Sequence, residues 1–371
     1  MKSLRLGKWA VAFAYLLEAF ELIHGGIGMK ERTKITALVL AALMLLALAA
    51  CGGITPGNSM EDPNENDRQI PSPSQELPEP LEVSATPSSM EQEILSFNEV
   101  SVSSAAEFLQ AIASDTVIRV EPGIYDFTEF NDVMPYGGCK ISNIDNLSII
   151  GAGEDQTEFI NADRYEYIII FENCTDILVS GIKAGHTPDV YQCDAGVLSF
   201  EKCSDVIVSD CYLYGCGSIG IIIESSANIS VFDTVITDCS LLAVYIESSD
   251  GVVFDNCKII ENRSYTSVIN VSAYMGRAYA EFNNCDISNN YNVAWYFVEV
   301  GQYHYSSSLV FNNCTISDNY RMADTNPPLI AVGGVRGGFV ALYGCVIKDN
   351  EMLVDPSAPI FIDCEVTGNL Y

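Results

Sequence analysis

A repeated segment constrains the fold of this chain more than any other feature. The stretches FENCTDILVSGI, FEKCSDVIVSDC, IESSANISVFDTV and IESSDGVVFDNC align with one another, starting at Phe171, Phe200, Ile223 and Ile246. Their starts lie 29, 23 and 23 residues apart. Short β-rich pieces with Asn, Asp, Ser and Gly between them are typical of strands joined by tight turns. A period of this length predicts a β-solenoid, because each repeat must stack on its neighbours to bury its apolar face.

Two adjacent columns of the alignment predict a turn followed by a buried position. The turn column holds residues that tolerate left-handed backbone: Gly181, Asp210, Thr234, Asn256, Asn284, Asn313, Gly344 and Asp363. In the next column cysteine alternates with Ile and Val: Ile182, Cys211, Val235, Cys257, Cys285, Cys314, Cys345 and Cys364. Most of the 13 cysteines are therefore predicted to be small core residues rather than disulfides or metal ligands. Cys193, Cys216 and Cys239 are the expected exceptions.

A third column predicts a ladder of side-chain amides. Asparagine recurs five residues after the cysteine: Asn262, Asn290, Asn319, Asn350 and Asn369. Stacked amides can hydrogen-bond from one coil to the next. At the other end of the domain, Ser104 and Glu107 have the spacing of a capping box, which predicts a short helix over the first coil.

These repeats resemble the right-handed parallel β-helix proteins of the pectate-lyase-like superfamily. The resemblance covers residues 98–371 and implies an all-β fold, a right-handed parallel β-helix with a short N-terminal capping helix. That superfamily includes polysaccharide lyases, glycoside hydrolases, carbohydrate esterases and phage tailspikes, so the fold alone does not select an activity.

A row of glutamates is the main candidate for chemistry. Glu172, Glu201, Glu224 and Glu247 follow the same strand in four successive repeats, and a looser match adds Ser272 and Glu299. In parallel register the carboxylates would lie about 4.8 Å apart. Such crowding either raises the pKa of one member, as in hydrolase pairs, or is relieved by a cation such as Ca²⁺. The alternative is a set of solvated turn residues whose side chains splay apart.

Residues near the row supply candidate substrate contacts. Tyr245, Trp295 and Phe297 lie on the same predicted strands, and aromatic rings beside carboxylates suit a saccharide. His186 forms a polar cluster with Asp189 and Asp194 in a long loop. Both groups have a structural alternative, since loops can bury the rings and a loop histidine is commonly a surface residue.

The charge of the chain excludes some partners. The formal net charge is -31, from 49 acidic and 18 basic residues. Nucleic acid is therefore not expected as a partner, because its phosphates require a positive surface. No basic residue stands in a repeated column near the glutamates except Lys202, beside Glu201. This argues against a lyase, for which the resemblance implies a basic residue beside calcium.

The N-terminal region predicts export and a lipid anchor. Residues 29–50 contain a basic start and an apolar run too short to span a bilayer comfortably, which indicates a signal peptide. The sequence LAAC at residues 48–51 resembles the lipobox of bacterial lipoproteins, which implies lipidation of Cys51. Residues 1–28 precede this complete signal and are expected to be an upstream extension. The Pro-, Ser- and Glu-rich residues 51–97 predict a disordered linker that starts at the lipidated cysteine.

Two functions from different classes fit this organisation. The first is a surface lipoprotein whose β-helix, residues 98–371, binds or cleaves polysaccharide in the manner of a glycoside hydrolase or a lyase. The second is a non-catalytic surface scaffold or adhesion protein. It would self-associate through its last coil, since the sequence shows no capping helix after Asn369.

Overall fold

The computed structural model describes residues 98–131, 138–188, 193–215, 218–292, 296–301, 306–321, 328–332, 338–352 and 359–369. The predicted signal, the predicted linker and Cys51 lie outside these ranges.

Parallel strands in three long sheets form this region. The first sheet contains, in spatial order, Asn98–Val102, Thr116–Val120, Asp145–Ile150, Thr175–Ser180, Ser204–Ser209, Ala227–Phe232, Asp250–Asp255, Ala278–Asn283, Ser307–Asn312, Gly338–Tyr343 and Ile360–Ile362. The second sheet contains Gly138–Ser142, Tyr167–Glu172, Leu198–Glu201, Ile219–Glu224, Leu242–Glu247, Ile269–Ser272, Val298–Val300 and Ile330–Val332. The third sheet contains Gly123–Asp126, Thr157–Asn161, Lys183–His186, Tyr212–Tyr214, Val235–Thr237, Lys258–Ile260, Asp286–Ser288, Thr315–Ser317, Val346–Lys348 and Glu365–Thr367.

Along the chain, each coil adds a strand to the second sheet, then to the first and then to the third. Each strand pairs with its counterpart one coil away. A short fourth sheet of Arg263–Ser264, Tyr291–Asn292 and Tyr320–Arg321 extends three of the coils. This arrangement is a right-handed parallel β-helix, as the repeats predict.

The helix Ala105–Ala111 packs its buried Phe108 onto the first coils. Ser104 caps the helix by accepting a hydrogen bond from the backbone N–H of Glu107 (3.3 Å). The Glu107 carboxylate accepts in return from the backbone N–H of Ser103 (2.8 Å). Phe108 meets Phe159 edge-on, with ring centroids 5.0 Å apart. The predicted capping helix is therefore present and covers apolar core at this end.

The core is a set of stacked columns. Phenylalanines from adjacent coils lie face to face, with the rings of Phe254 and Phe282 4.6 Å apart and those of Phe171 and Phe200 5.1 Å apart. Stacking is the consequence of parallel register, which places the same inward position of each coil about 4.8 Å from the next. Apolar burial and ring stacking thus act together along the axis.

The cysteine column is buried, as predicted, except at the last coil, where Cys364 is only half-buried. The alignment needs one correction. Tyr212 pairs with Val235, so Thr234 rather than Val235 shares the position of Cys211. The turn residue is Asp233, whose φ is 45°. Thr234 fills the column because its hydroxyl donates to the Phe232 carbonyl (2.7 Å), as the thiols do at this corner.

The thiols of this column are free and cap the turn carbonyls. Cys257, for example, lies 3.4 Å from both the Val231 and the Asp255 oxygen. Burial raises the pKa of the Cys211 thiol to about 12. Cys239 is also free, which corrects the expectation of a disulfide there. Cys193 is disulfide-bonded, as expected, and Cys216 lies outside the described residues.

The predicted amide ladder is present. Each Asn side chain donates to the amide oxygen of the next: Asn262 to Asn290 (2.9 Å), Asn290 to Asn319 (3.0 Å), Asn319 to Asn350 (2.8 Å) and Asn350 to Asn369 (2.8 Å). Each also donates to a carbonyl of the preceding coil, as Asn319 does to Ile287 (2.9 Å). The ladder satisfies buried polar groups at a corner that water does not reach.

Candidate functional site

The four glutamates close successive strands of the second sheet. Glu172 pairs in register with Glu201, Glu201 with Glu224, and Glu224 with Glu247. We call these four residues the glutamate row. Parallel pairing puts their backbone positions about 4.8 Å apart along the axis.

The row ends at Ser272, which pairs with Glu247. Glu299 does not belong to it, although the sequence alignment placed it there. Glu299 pairs with Asn270, and Asn270 pairs with Tyr245, so Glu299 lies in the neighbouring outward column. The loops before these strands differ in length, and the alignment therefore lost the register by two positions, which keeps Glu299 on the same face of the sheet.

A lysine neutralises the first member of the row. Lys140 Nζ lies 3.0 Å from Glu172 Oε2. The hydrogen bond from Lys140 holds the pKa of Glu172 below its usual value. Lys140 precedes the first recognisable repeat, so the sequence offered no column in which to find it. The sequence analysis considered basic residues in repeated columns, where it found Lys202, and Lys140 is a basic residue beside the row that lies outside those columns.

A tyrosine hydroxyl engages the last glutamate. The Tyr245 hydroxyl donates to Glu247 Oε2. Burial, together with this bond and the Glu247 charge, raises the pKa of Tyr245. Tyr245 was predicted as a substrate contact, and the structure places it beside the row, half-buried.

The two central glutamates remain without such partners. Among the described residues, none forms an ion pair or a side-chain hydrogen bond with the carboxylate of Glu201 or Glu224. Burial raises the pKa of Glu224, and the charges of Glu201 and Glu247 raise it further. A carboxyl group with a raised pKa therefore lies next to a second carboxylate one coil away, an arrangement found in acid–base sites.

Replacing Glu224 with Gln is expected to raise the melting temperature at pH 7 and to leave it nearly unchanged at about pH 3.5, below the unfolded pKa. Because the pKa of Glu224 is raised on folding, its stabilising contribution is complete below the unfolded pKa and is lost as the pH rises through the folded pKa. A glutamine keeps the shape of the side chain without the charge. Thermal melts followed by circular dichroism at the two pH values measure the difference.

Glu172→Gln is the matched control, with the opposite sign. The pKa of Glu172 is lowered, so its contribution is present above the unfolded pKa and is lost as the pH falls through the folded pKa. This variant should melt slightly lower at pH 7. Equal shifts for Glu172→Gln and Glu224→Gln would contradict the electrostatic difference between the two ends of the row.

An unpredicted tyrosine lies over the sheet next to the row. A Cβ placed on Gly196 would lie 3.0 Å from Tyr167 Cε1 and 3.0 Å from Ile222 Cδ1. The ring of Tyr167 therefore leans across the next coil toward Ile222, in the space that the glycine leaves free. Burial raises the pKa of Tyr167, and the charges of Glu224 and Glu201 add to the effect. Its strand position precedes the repeat motif, which explains why the alignment did not select it.

The outward column beside the row is covered rather than open. Ile170, Ser199 and Ile222 point away from the core but are only 6%, 1% and 4% exposed. Tyr167 contributes to this cover, and the adjoining Cys193 and Ala195 are themselves buried. The accessible part of the site is therefore the edge of the sheet where the row lies.

The other residues predicted to contact substrate are not found beside the row in the described part of the chain. Phe297 is fully buried in the core, so its assignment as a substrate contact is wrong: the side chain points inward between the sheets. Asp194 is exposed, and its backbone N–H donates to the Arg164 carbonyl (2.8 Å). Trp295 and Asp189 lie outside the described residues.

His186 lies on the third sheet, in register with Asn161, and is only 2% exposed. Its Nε2 lies 2.9 Å from the Glu166 carbonyl oxygen. Burial lowers the pKa of His186, so the ring is neutral near pH 7. The histidine therefore does not join the glutamate row, and the expectation of a surface loop residue is wrong as well.

Two further properties of the described residues concern metal binding and membranes. Within them, no group of three or more His, Cys, Asp or Glu side chains is arranged to hold a metal ion. No helix in the same ranges is both long and apolar enough to cross a membrane.

Comparisons with known proteins agree with this fold. Residues 136–301 match the family model described as right handed beta helix region. A search of curated proteins finds no match to this chain.

Solved structures similar to this chain include three of different origin. A Geobacillus virus E2 protein has 13% identity and a TM-score of 0.45 over 71% of this chain and 56% of its own. A Bacillus pectate lyase bound to trigalacturonate has 11% identity and a TM-score of 0.41 over 74% and 82%. A Paenibacillus alginate lyase has 11% identity and a TM-score of 0.41 over 72% and 99%. The chain thus spans little more than half the length of the viral protein.

Proposed function

We propose that the glutamate row binds a polysaccharide and that Glu201 and Glu224 hydrolyse it. One observation carries the proposal: two unpaired carboxyl groups lie on adjacent coils, and the pKa of one of them is raised. Glycoside hydrolysis requires such a pair, one carboxylic acid that gives a proton and one carboxylate that does not hold one.

Glu224 is the proposed general acid. It would donate its proton to the glycosidic oxygen as the bond to the leaving sugar breaks. Glu201 would attack the anomeric carbon and form a covalent glycosyl intermediate, which water then hydrolyses with Glu224 as base. The coil spacing of about 4.8 Å is close to the separation of about 5 Å typical of retaining enzymes.

The neighbours of the pair support this assignment. Lys140 and Tyr245 engage the outer glutamates, which leaves the central two for chemistry. Tyr167 and Tyr245 provide rings on which the apolar face of a sugar can stack. A lyase would need a free base at the site, and the ammonium of Lys140 is already paired with Glu172.

The test is hydrolysis by the purified protein on a panel of neutral, acidic and amino-sugar polysaccharides, with calcium or with chelator. Release of reducing ends should fall by about 100-fold or more in Glu224→Gln, because general acid catalysis contributes at least that factor. Glu201→Gln should fall similarly. Glu261→Gln, an exposed glutamate after the third sheet, is the matched control and should retain activity.

The product anomer provides a second readout, since a retaining pair releases sugars of unchanged configuration, detectable by NMR. No release from any polysaccharide by the folded protein would refute the hydrolytic role. Equal activity in Glu224→Gln would refute the assignment of the pair.

We also propose that the protein is exported and anchored to the outer face of the cell membrane through lipid on Cys51. The support is the signal-like residues 29–50 and the lipobox-like sequence that ends at Cys51. Metabolic labelling with a fatty acid should mark the protein, and Cys51→Ser should abolish the label and release the protein from membranes. Labelling of the Cys51→Ser variant would contradict this site.

A scaffold that self-associates through its last coil is the second candidate. Ile360 and Ile362 are 46% and 40% exposed, and their strand is the outermost of the first sheet among the described residues. Exposed apolar edges favour pairing with another strand. Sedimentation of the wild type and of Ile360→Lys/Ile362→Lys tests this. A dimer that the variant loses supports association, whereas a monomeric wild type at high concentration refutes it.

A further inference from the structure

The cysteine column differs in exposure between its inner coils and its last described coil. Cys364, in the last described coil, is a free thiol and is half-buried. The two strands around it are the outermost of the first and third sheets among the described residues. The four thiols before it in the column are free and only 1% exposed: Cys257, Cys285, Cys314 and Cys345. A reagent in solution can therefore reach Cys364, whereas the inner thiols are closed to it.

Cys345 and Cys364 are neighbours in register. Val346 pairs with Glu365, so the residues directly before them, Cys345 and Cys364, occupy the same position on adjacent coils. The backbone N–H of Glu365 donates to the Cys345 carbonyl (2.9 Å), which fixes this register. Parallel pairing places the two Cα atoms about 4.8 Å apart. That separation lies within the range of about 4.4–6.8 Å that a disulfide spans.

The two thiols point the same way, and this sets how far they must move to join. Cys345 Sγ lies 3.5 Å from the Phe311 oxygen, and Cys364 Sγ lies 3.3 Å from the Leu342 oxygen, the equivalent atom one coil on. Parallel side chains keep their Cβ atoms about 4.8 Å apart, slightly more than the 3.5–4.5 Å or so of a disulfide. A shift of about 0.5 Å closes this gap. Each inner coil is held between two others, but the last described coil has a described neighbour on one side only.

We propose that Cys364 and Cys345 form a thiol–disulfide exchange site for low-molecular-weight disulfides. The Cys364 thiolate attacks one sulfur of the small disulfide, whose S–S bond breaks and releases one thiol. The Cys345 thiolate then attacks Cys364 Sγ and displaces the second thiol. Two protein thiols are thereby oxidised to one disulfide, and one small disulfide is reduced to two thiols. The protons of the two cysteines pass to the released thiolates.

The surroundings of the two cysteines assign their roles and the order of the steps. Cys364 attacks first because it is the exposed member of the pair. The hydrogen bond with Cys314 and burial raise the pKa of Cys345. Since only the thiolate attacks, the second step is slow and speeds up as the pH rises. The mixed disulfide on Cys364 therefore accumulates before the internal link forms. That link ties the last described coil to its neighbour and opposes local opening.

Treatment with hydroxyethyl disulfide, followed by intact mass and peptide mapping, tests the site. The Cys51→Ser protein is used, because it lacks the cysteine proposed for lipidation. One mercaptoethanol group should first add to Cys364 and then leave, as the chain loses two hydrogens and Cys345 becomes linked to Cys364. This second step should speed up about tenfold per pH unit. Cys174 and Cys203, buried on adjacent coils at another corner, should remain free thiols.

Three variants separate the two steps. Cys345→Ala should stop at the mixed disulfide on Cys364, and Cys364→Ala should react at neither position. Cys314→Ala is the matched control and should form the same internal link as its parent. Once the link has formed, hydrogen exchange in Glu365–Thr367 should slow by about tenfold or more, because the cross-linked coil opens less often.

Three results would overturn the proposal. The first is modification of Cys345 or of another inner cysteine as fast as Cys364, which would mean that exposure does not select the attacking thiol. The second is a Cys364 that does not react, or a mixed disulfide on it that persists at every pH. The third is a dimer linked through two copies of Cys364 in place of the internal link. All three are measured on thiols at the corner between the first and third sheets, so they leave the proposed hydrolysis at the second sheet untouched.

Discussion

Replacing Asn319 with Leu is expected to lower the free energy of unfolding by about 4 kcal/mol, since each buried group left without a partner costs about 1–3 kcal/mol. The Asn319 amide oxygen accepts from the backbone N–H and the side-chain amide of Asn290, both at 3.0 Å. Its amide nitrogen donates to the Ile287 carbonyl (2.9 Å) and to Asn350 (2.8 Å). Leucine has a similar shape and removes all four bonds.

Asn312→Leu is the matched control for this measurement. Asn312 belongs to the same coil, but its amide lies on the outer surface and makes one bond, to Asn283 (2.8 Å). Its loss should cost about 1 kcal/mol or less. Urea unfolding at equilibrium gives both values. Equal costs for the two variants would mean that the ladder contributes no more than a surface hydrogen bond.

Phe282→Ala is expected to cost about 4 kcal/mol, the usual range for removing a fully buried aromatic ring. The Phe282 ring lies between those of Phe254 and Phe311, at centroid distances of 4.6 and 5.4 Å. Removal opens a cavity in the middle of a column and ends two ring contacts. Phe282→Leu, which refills most of the space, should cost clearly less.

The location of the strands that lose protection tests this prediction more sharply than the change in the free energy of unfolding. Coils contact only their neighbours, so a weakened coil should separate two parts of the β-helix that unfold with different ease. Hydrogen exchange of Phe282→Ala should lose protection in Ala278–Asn283 and Ser307–Asn312 before Thr175–Ser180. Uniform loss across all strands would contradict this local behaviour.

The fold could be predicted because one coil is repeated many times. Inward columns such as Phe171 with Phe200 follow from a period-two pattern that recurs at each repeat. Aligning the repeats with one another is enough to find such a column. The Asn ladder and the register of the glutamate row were predicted on the same basis. Where the repeat is interrupted, as before Glu299, the alignment lost the register.

The site depends on residues that the repeat does not contain. Lys140 and Tyr167 occupy positions that occur once. Lys140 matters through its ion pair with Glu172 one coil away, and Tyr167 through its approach to Gly196 on the next coil. A repeat pattern does not predict such contacts. The ring of Tyr167, for example, lies in space that is free because Gly196 has no side chain. Phe297 was misassigned for a related reason: it was taken as an outward-facing strand residue, but it precedes the strand Val298–Val300 and is buried in the core.

The corners of the coil determine where this chain can change in length. Between the first and third sheets, two residues separate the strands in many coils, as from Ser209 to Tyr212 and from Asn312 to Thr315. Between the third and second sheets the gap varies widely, from Tyr214–Ile219 to Ser317–Ile330. The other two corners vary less, as from Ile150 to Thr157 and from Val300 to Ser307. The longest insertions therefore arrive at the corner before the second sheet. New loops can reshape the neighbourhood of the glutamate row while the stacking of the coils stays unchanged, which makes this architecture a scaffold for acquiring new specificities.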